Sequence, residues 1–587
     1  MRFFPVLLTV MIAAFIVCFG CSAADGPAPI DNRAWLYNAE DDVYYQLGIP
    51  YCGNPADETY ENLAVFVPGS YFKASENGDG TYSCEIAPDG TAGDYTAMTA
   101  PIVFPVNTPG YSAMAPLTEY SSPAPYTQAG FIYVHAGCRG RDHGAPAGIT
   151  DLKAAVRYIR YNTGSIPGNT DAVFTFGMSG GGAQSALMGS TGDSDLYTPY
   201  LEAIGAVQGY SDTILGAMCW CPITNLDTAD EAYEWMMGST RSGLSDEEQA
   251  ISDNLAAAFA VYINNAGFRD PEGNLLTLEA SGDGIYQSGS YYRYIKSVIE
   301  RSLNNFLKDT AFPYDASAAG SGGFRRGGPG GPGGPGGDFG GGMPEEGMPE
   351  GFRPEGMEGT EEGIDFEASD NIARQQTQSG LNLSGTYDTI RDYIDALNAE
   401  TEWVTYSVRT GKAEITSVAD FVRAFKNASK RLAAFDQLDG GQGENTLFGY
   451  GDGKGAHFDA TLSEILSILG SDYAAAYAED LEKTDQLGNT AEVRLNMYTP
   501  LYYLLESEEG YGTAGIAPFW RIRTGIAQSD CALSTEVDLA LALENYEGVK
   551  LVDFETIWGA GHTMAERSGN STENFIAWVN RCMSIKD

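Results

Sequence analysis

Ser179 sits in Gly177-Met178-Ser179-Gly180-Gly181, a G-x-S-x-G pentapeptide that occurs once in a chain of 587 residues and 72 glycines. A serine hydroxyl attacks a carbonyl carbon when a base takes its proton and a third group fixes that base. Four histidines are available: His135, His143, His457 and His562. His562 follows Gly559-Ala560-Gly561 just past the apolar run Val552 to Trp558 and is the candidate base. His135 ends a strand-like run and reads as scaffold, and His457 reads as a surface residue. The acid belongs on the loop after the strand before the histidine, where it fixes the imidazole tautomer. Arg521 to Gly525 reads as that strand, and Asp530 is the first carboxylate beyond it. Asp530 also stands where it could cap a helix starting near Ala532. Asp227 and Asp230, after the preceding strand, are the alternative acids. Gly180 supplies one oxyanion amide, and Ser70, in Pro68-Gly69-Ser70-Tyr71, is the candidate for the second.

These groups need a frame. Short apolar runs at Leu63 to Val67, Phe131 to His135, Val173 to Phe176 and Gly216 to Cys221 alternate with helix patterns. Such runs predict a mostly parallel sheet covered on both faces, the doubly wound α/β class, and the chain order Ser179, acid, His562 fits its α/β-hydrolase form. Ala172 to Phe176 leads into the pentapeptide and Ala183 to Met188 leads out, so Ser179 falls on a sharp strand-to-helix turn. Asp151 to Asn162 predicts a helix with Leu152, Val156 and Ile159 on one face and Thr150 or Asp151 as its cap. Past Asn225 helical patterns dominate, among them Asp246 to Asn265, Tyr291 to Leu307 and Val418 to Phe435. Strand signal returns at Trp520 to Thr524 and Val552 to Trp558, before a closing helix from Asn574 to Met583. The division read from this is a core in two parts, 27–225 and 511–587, interrupted by a mainly helical lid, 226–510. Insertions of this kind sit over the carboxyl ends of strands, where ligands bind. Residues 317–366, rich in Gly, Pro and Glu, cannot bury enough apolar surface to offset chain entropy and are expected to be a disordered loop.

Lys and Arg number 34 against 79 Asp and Glu, a formal charge of −45. That surface repels phosphate backbones, so nucleic acid is excluded as a partner, and the acidity suits an exported soluble protein. Met1-Arg2 followed by an apolar run to Phe19 predicts an export signal over 1–21. Gly20-Cys21-Ser22 is similar to a bacterial lipoprotein processing site, which would attach the chain to a membrane through lipidated Cys21; Cys18 departs from the usual Leu. In an exported chain Cys52 and Cys84 are the one candidate disulfide. Cys219 and Cys221 alternate in an apolar run and read as buried small hydrophobes. No Cys and His spacing suggests a zinc site.

Several blocks together resemble bacterial tannases and related feruloyl-esterase-like hydrolases. They are Gly137-Cys138-Arg139-Gly140-Arg141-Asp142, Asp151 to Asn162, Ile166 to Asp171, the serine pentapeptide, Cys221 to Leu226 and Trp520 to Arg523. The resemblance implies a Ser-Asp-His triad on galloyl esters, with Ser179 and His562 carried over directly. It implies Lys430 and Glu444 as the lid pair that holds phenol hydroxyls. One position departs: Gln528 matches the family's triad acid, while Asp530 matches its second, substrate-contacting aspartate. A relative in which Asp530 orients His562 loses one phenol contact and favours less hydroxylated or simpler esters; Gln528 would then touch substrate.

The combined reading is an exported serine carboxylesterase on a small-molecule ester, needing no metal or organic cofactor. A serine peptidase of similar fold is one alternative; a surface lipoprotein that binds polyphenol or polysaccharide after losing the acid at Gln528 is the other.

Overall fold

A computed structural model describes residues 26–282, 286–316, 383–426 and 428–585. The export signal with Cys18 and Cys21, and the 317–366 segment, lie outside the described residues. A nine-stranded sheet forms the centre: β1 (Leu36–Asn38), β2 (Val43–Pro50), β3 (Asn62–Pro68), β4 (Ile102–Val106), β5 (Ile132–Ala136), β6 (Val173–Met178), β7 (Gly216–Trp220), β8 (Phe519–Gly525) and β9 (Leu551–Ile557). Their spatial order is β1-β2-β3-β5-β4-β6-β7-β8-β9. The first three strands are antiparallel to one another, and β3 is antiparallel to β5. From β5 to β9 every neighbouring pair is parallel.

Parallel strands need both faces covered, and the period-2 alternation of side chains supplies two apolar faces. Val173, Ala217, Cys219, Trp520 and Ile522 point into one core layer; Phe174, Phe176, Met218, Trp220 and Phe519 point into the other. Helices α1 (Ala124–Gln128) and α5 (Ser571–Ser584) cover the second layer, with Phe575 packed on Phe176 at 4.4 Å and Trp578 edge-on to Phe174 at 5.6 Å. Each such ring contributes about 1.5–3 kcal/mol by leaving water. Helices α2 (Ala147–Tyr161), α3 (Gly180–Ser190) and α4 (Leu533–Asn545) cover the first layer. This is the doubly wound α/β-hydrolase arrangement.

Several sequence expectations change here. The strand β4 was not among the expected runs, because Pro105 interrupts it. Its ladder nonetheless pairs Val103 to Val106 with Phe174 to Gly177. Helix α2 starts a turn early, at Ala147, and Asp151 is not its cap. Asp151 is buried inside the helix and accepts from the Arg139 guanidinium at 2.6 Å. The helix expected over Val418 to Phe435 is an α-turn, Val418–Phe421, followed by a π-type turn, Val422–Lys426. Cys52 and Cys84 are separate buried thiols and form no disulfide: the Cys52 thiol lies 3.6 Å from Glu61, and Cys84 stands opposite Ala74 in a hairpin.

Between β7 and β8 the chain is mainly helical, with small hairpins such as Val404–Ser407 with Lys412–Ile415. Its longest helix among the described residues, Asp246–Ala266, begins with a complete Ser245/Glu248 capping box and ends at left-handed Gly267. Asp436 organises a buried polar knot here. Its carboxylate accepts from His457 Nδ1 and Asn445 Nδ2, both at 2.7 Å, and from the Phe458 and Asp459 amides. Asp230 in turn accepts from the Phe435 and Asp436 amides.

Candidate active site

Ser179 occupies the single residue between β6 and α3, at φ 59° and ψ −124°. A non-glycine residue held there stores roughly 1–3 kcal/mol of strain, which the surrounding contacts must hold in place. Three glycines provide those contacts. A Cβ on Gly180 would meet the Tyr111 amide nitrogen at 2.5 Å and that of Gly110 at 3.1 Å; one on Gly181 would meet the Val106 carbonyl at 2.1 Å, and one on Gly182 the Trp220 carbonyl at 2.7 Å. The start of α3 is thus wedged between the loops that leave β4 and β7, and only backbone fits.

Those contacts also bear on the second oxyanion donor expected at Ser70. Ser70 follows β3, which runs against the parallel strands, so it lies at the opposite end of the sheet from Ser179; its hydroxyl donates to the Thr91 carbonyl at 2.8 Å. The loop beside Gly180 is Thr108 to Tyr111, after β4. Tyr111 has φ 60° and donates its hydroxyl to the Ile223 carbonyl, while the Ile223 amide lies 3.5 Å from the Ser179 carbonyl. Pro109-Gly110 was the available signal for this loop, hidden with its strand.

The C-terminal end of β7 joins Ser179 to the histidine. The Ser179 amide donates to the Trp220 carbonyl at 3.0 Å, and the Cys221 thiol to the Thr563 carbonyl at 3.3 Å. His562 is 6% exposed, and its Nδ1 faces the Asp530 carboxylate at 3.5 Å. At that distance the pair is an electrostatic contact that stops short of a hydrogen bond, and Nδ1 has no closer acceptor. Burial pushes the imidazole below its ordinary value; Asp530 opposes this, and Lys430 and Lys426 reinforce it. The loop that carries His562 is clamped from below. Glu566 takes both Arg521 NH groups at 2.6 and 2.7 Å and the Trp220 indole at 3.0 Å.

The other three histidines are engaged elsewhere. His135 contacts the Ala115 carbonyl, His143 contacts Asp57, and His457 is not a surface residue: it is buried against Asp436 and stacked on Tyr477 at 3.6 Å. Among the alternative acids, Asp230 is committed to the Phe435 and Asp436 amides. Asp227 is half-buried, with its acid pushed up to about 7 by desolvation.

Gln528 does not line the site. It is 2% exposed and turned inward, donating to Glu536 at 2.7 Å and contacting the Cys531 thiol at 2.9 Å. Glu536 also accepts from Thr524 at 2.9 Å. Lys426 is buried beside this group, and neither its Nζ nor Glu536 Oε2 has a hydrogen-bond partner. Neither Lys426 nor Glu536 was marked in the sequence, where each reads as an ordinary helix charge.

The stretch between β7 and β8 approaches this end of the sheet at Lys430 and Glu444. Lys430 lies within electrostatic reach of His562 and places its ammonium 3.7 Å over the Phe435 ring. Glu444, 7% exposed on the short helix Gly443–Phe448, lies near enough to Tyr111 to push its phenol up further. Ser429 donates to the Ser529 carbonyl at 3.2 Å, tying the lid to the residue before Asp530.

A family model described as BD-FAE matches residues 117–261. A tannase from Fusobacterium nucleatum is similar in structure at TM-score 0.63 and 25% identity, over 92% of this chain and 95% of that one. A tannin acyl hydrolase from Lactobacillus plantarum matches at TM-score 0.62 and 24% identity, over 92% and 94%. A tannin acyl hydrolase in complex with ethyl gallate matches at TM-score 0.61 and 24% identity, again over 92% and 94%. No curated protein matches the sequence. The chain has the tannase-like form of the α/β-hydrolase fold.

Proposed function

We propose that the chain is an exported serine carboxylesterase that hydrolyses esters of aromatic acids. Ser179 Oγ attacks the ester carbonyl while His562 takes its proton, and the resulting oxyanion is held by the amide of Gly180 and an amide of the Gly110-Tyr111 turn. His562 then protonates the departing alcohol. Water, deprotonated by the same imidazole, attacks the acyl-enzyme and releases the aromatic acid. Asp530 orients the ring and stabilises its charged form. The lowered proton affinity of His562 suits a base that must be neutral before each attack.

The observation that carries this reading is the elbow: a left-handed serine pinned by three glycines between two loops, with a buried imidazole on the loop after β9 at the same end of the sheet. The aromatic acyl group rests on the tannase-like form, on the ethyl gallate bound by one structural neighbour, and on Lys430 and Glu444 facing the same end of the sheet. Export rests on the sequence of the first 21 residues. A fluorophosphonate probe followed by peptide mapping tests the nucleophile: label on Ser179, lost in Ser179→Ala, is expected. Turnover of methyl gallate, methyl ferulate and phenyl acetate tests the substrate class, and Ser179→Ala is expected to lower kcat by about 10⁴-fold or more. An unlabelled Ser179 in folded protein would favour the non-catalytic binder, and cleavage of peptides but not esters would favour the peptidase.

A further inference from the structure

The block Gly137 to Asp142 carries an arginine that the reaction as described does not use. Arg141, half-buried on the loop after β5, donates from Nη1 to the Gly110 carbonyl at 2.9 Å. Gly110, at φ 55° and ψ 30°, and Tyr111, at φ 60°, are consecutive left-handed residues in the turn beside Gly180. The peptide between them is held at both ends: its carbonyl by Arg141, and its amide by the Thr108 carbonyl at 2.9 Å. Turning that peptide over would carry Tyr111 from the left-handed region, which is unfavourable for a residue with a side chain, to extended backbone, and the glycine before it offers no resistance. The flip would break the Tyr111 to Thr108 bond and set a carbonyl oxygen where an amide nitrogen stands, 2.5 Å from the place of a Gly180 Cβ. The turn keeps its strained form because both ends of this peptide are gripped.

We propose that Arg141 is a positioning residue that locks the Gly110 to Tyr111 peptide in the orientation in which this turn can donate to the oxyanion. The inference rests on the esterase reading and extends it to what holds the oxyanion turn in shape. The loop that carries the arginine is itself fixed against that turn. Met114 and Cys138 exchange backbone hydrogen bonds at 3.0 and 2.9 Å, and a Cβ on Gly140 would meet the Ala113 amide nitrogen at 2.1 Å. Arg139, two residues before, is anchored to Asp151 at 2.6 Å. A hydrogen bond from a charged donor is stronger than a neutral one and polarises the peptide that accepts it, which strengthens the Tyr111 to Thr108 bond on the other side. The guanidinium also abuts the short helix Gly443–Phe448: a Cβ on Gly443 would meet Nη1 at 2.7 Å, one residue before Glu444. The stretch between β7 and β8 thus covers the group that grips the turn.

The test is Arg141→Ala and Arg141→Lys, each assayed with phenyl acetate and with benzeneboronic acid, whose tetrahedral serine adduct is anionic as the transition state is. Fluorophosphonate labelling of Ser179 in the unaltered chain reports separately on the esterase reading; without label there, the proposal falls together with that reading. For Arg141→Ala we expect kcat to fall on the order of 10- to 100-fold, less than the full loss of an oxyanion donor, with KM within about twofold. The inhibition constant of benzeneboronic acid should rise by the same factor as kcat/KM falls, because both report binding of the charged tetrahedral form. Millimolar methylguanidinium should restore part of the Arg141→Ala rate and leave the unaltered chain as it was. Arg141→Lys, which keeps the charge but not the fork of donors, should lie between the two, and it carries the test if Arg141→Ala melts early. A folded variant with kcat within about threefold of the parent overturns the proposal. So does a loss that lies wholly in KM, or a fall in kcat that leaves the affinity for benzeneboronic acid unchanged.

Discussion

The parallel half of the sheet and the mainly helical stretch between β7 and β8 are held together by different physics, and the candidate active site lies where they meet. On the sheet side, Ser179 is fixed by backbone against backbone: the glycine contacts at 2.1–2.7 Å leave no room for a single carbon. On the lid side, segments are fixed by buried charge, with Asp436 and Asp230 each gathering several backbone amides. Backbone wedging is indifferent to pH and intolerant of volume. Buried carboxylates are the reverse. In the proposed mechanism Ser179, Gly180 and the loop carrying Asp530 belong to the sheet side, while Lys430 and Glu444 belong to the side that titrates.

The strongest break in that contrast is Gly180→Ala. The added methyl must displace the Tyr111 and Gly110 amides, which the proposed mechanism uses as oxyanion donors. Losing one such donor costs on the order of 10²–10³ in kcat, so activity should fall by that much with melting temperature changed far less. Kinetics beside a melting curve check it. Ser70→Ala, at the far end of the sheet, should leave kcat as it was.

How much of this could be read from the chain follows the same division. The strand-to-helix turn at Ser179 and the loop position of His562 were legible because each carries its context in a few neighbouring residues, a strand before it and glycines around it. Asp530, which faces His562, was legible as the first carboxylate after Arg521 to Gly525. The oxyanion loop was not, and one residue explains why. Pro105 cannot donate to a ladder, so Ile102 to Val106 failed to read as an interior strand. Without that strand the loop that precedes the pentapeptide reads as Pro68 to Tyr71, after the apolar run Leu63 to Val67. A buried apolar run carries no mark of its direction, and β3 proved antiparallel. In the lid, helix patterns at Asp246 to Asn265 and Tyr291 to Leu307 reappear as Asp246–Ala266 and Ser290–Asp309. Val418 to Phe435 did not, because its carbonyls and amides are taken by distant side chains such as Arg241 and Asp230. Lys426 and Glu536 were invisible for a related reason: burial of a charge is a tertiary fact.

The lid's charges should show in the pH dependence of stability. Burial pushes the Asp230 and Glu231 acids up to about 7 and about 8. A group whose folded value is raised stabilises the fold fully below its unfolded value, near 4, and that contribution is lost as pH rises through 7 to 8. Melting temperature should therefore fall between pH 5 and pH 9, by roughly a few degrees. Glu231→Gln should flatten the curve, since one Glu231 oxygen is buried without a partner and tolerates an amide. A slope unchanged in the variant would assign the alkaline loss to other groups. Activity should behave oppositely at the acid end. With His562 lowered by burial, the acid limb of kcat/KM should lie below the ordinary imidazole value of about 6.5.

The smallest effect separates substrate recognition from lid architecture. Lys430 is half-buried, its ammonium over the Phe435 ring, and its backbone amide accepts no role in catalysis because it donates to Tyr233 at 3.1 Å. Lys430→Met keeps the length and apolar stem while removing the donor. If the ammonium binds a phenol hydroxyl, KM for methyl gallate should rise about three- to tenfold, the worth of one charge-assisted hydrogen bond partly offset by water. Methyl benzoate, which has no phenol, should be unaffected. An equal rise for both esters would mean that the cation holds Phe435 and the lid in place and that specificity lies elsewhere, with Glu444 beside Tyr111 as the next residue to remove. Because Lys430 also lowers the proton affinity of His562, both esters should share a small rise in the acid limb whatever happens to KM. That shared shift identifies a folded variant whose ammonium is truly gone.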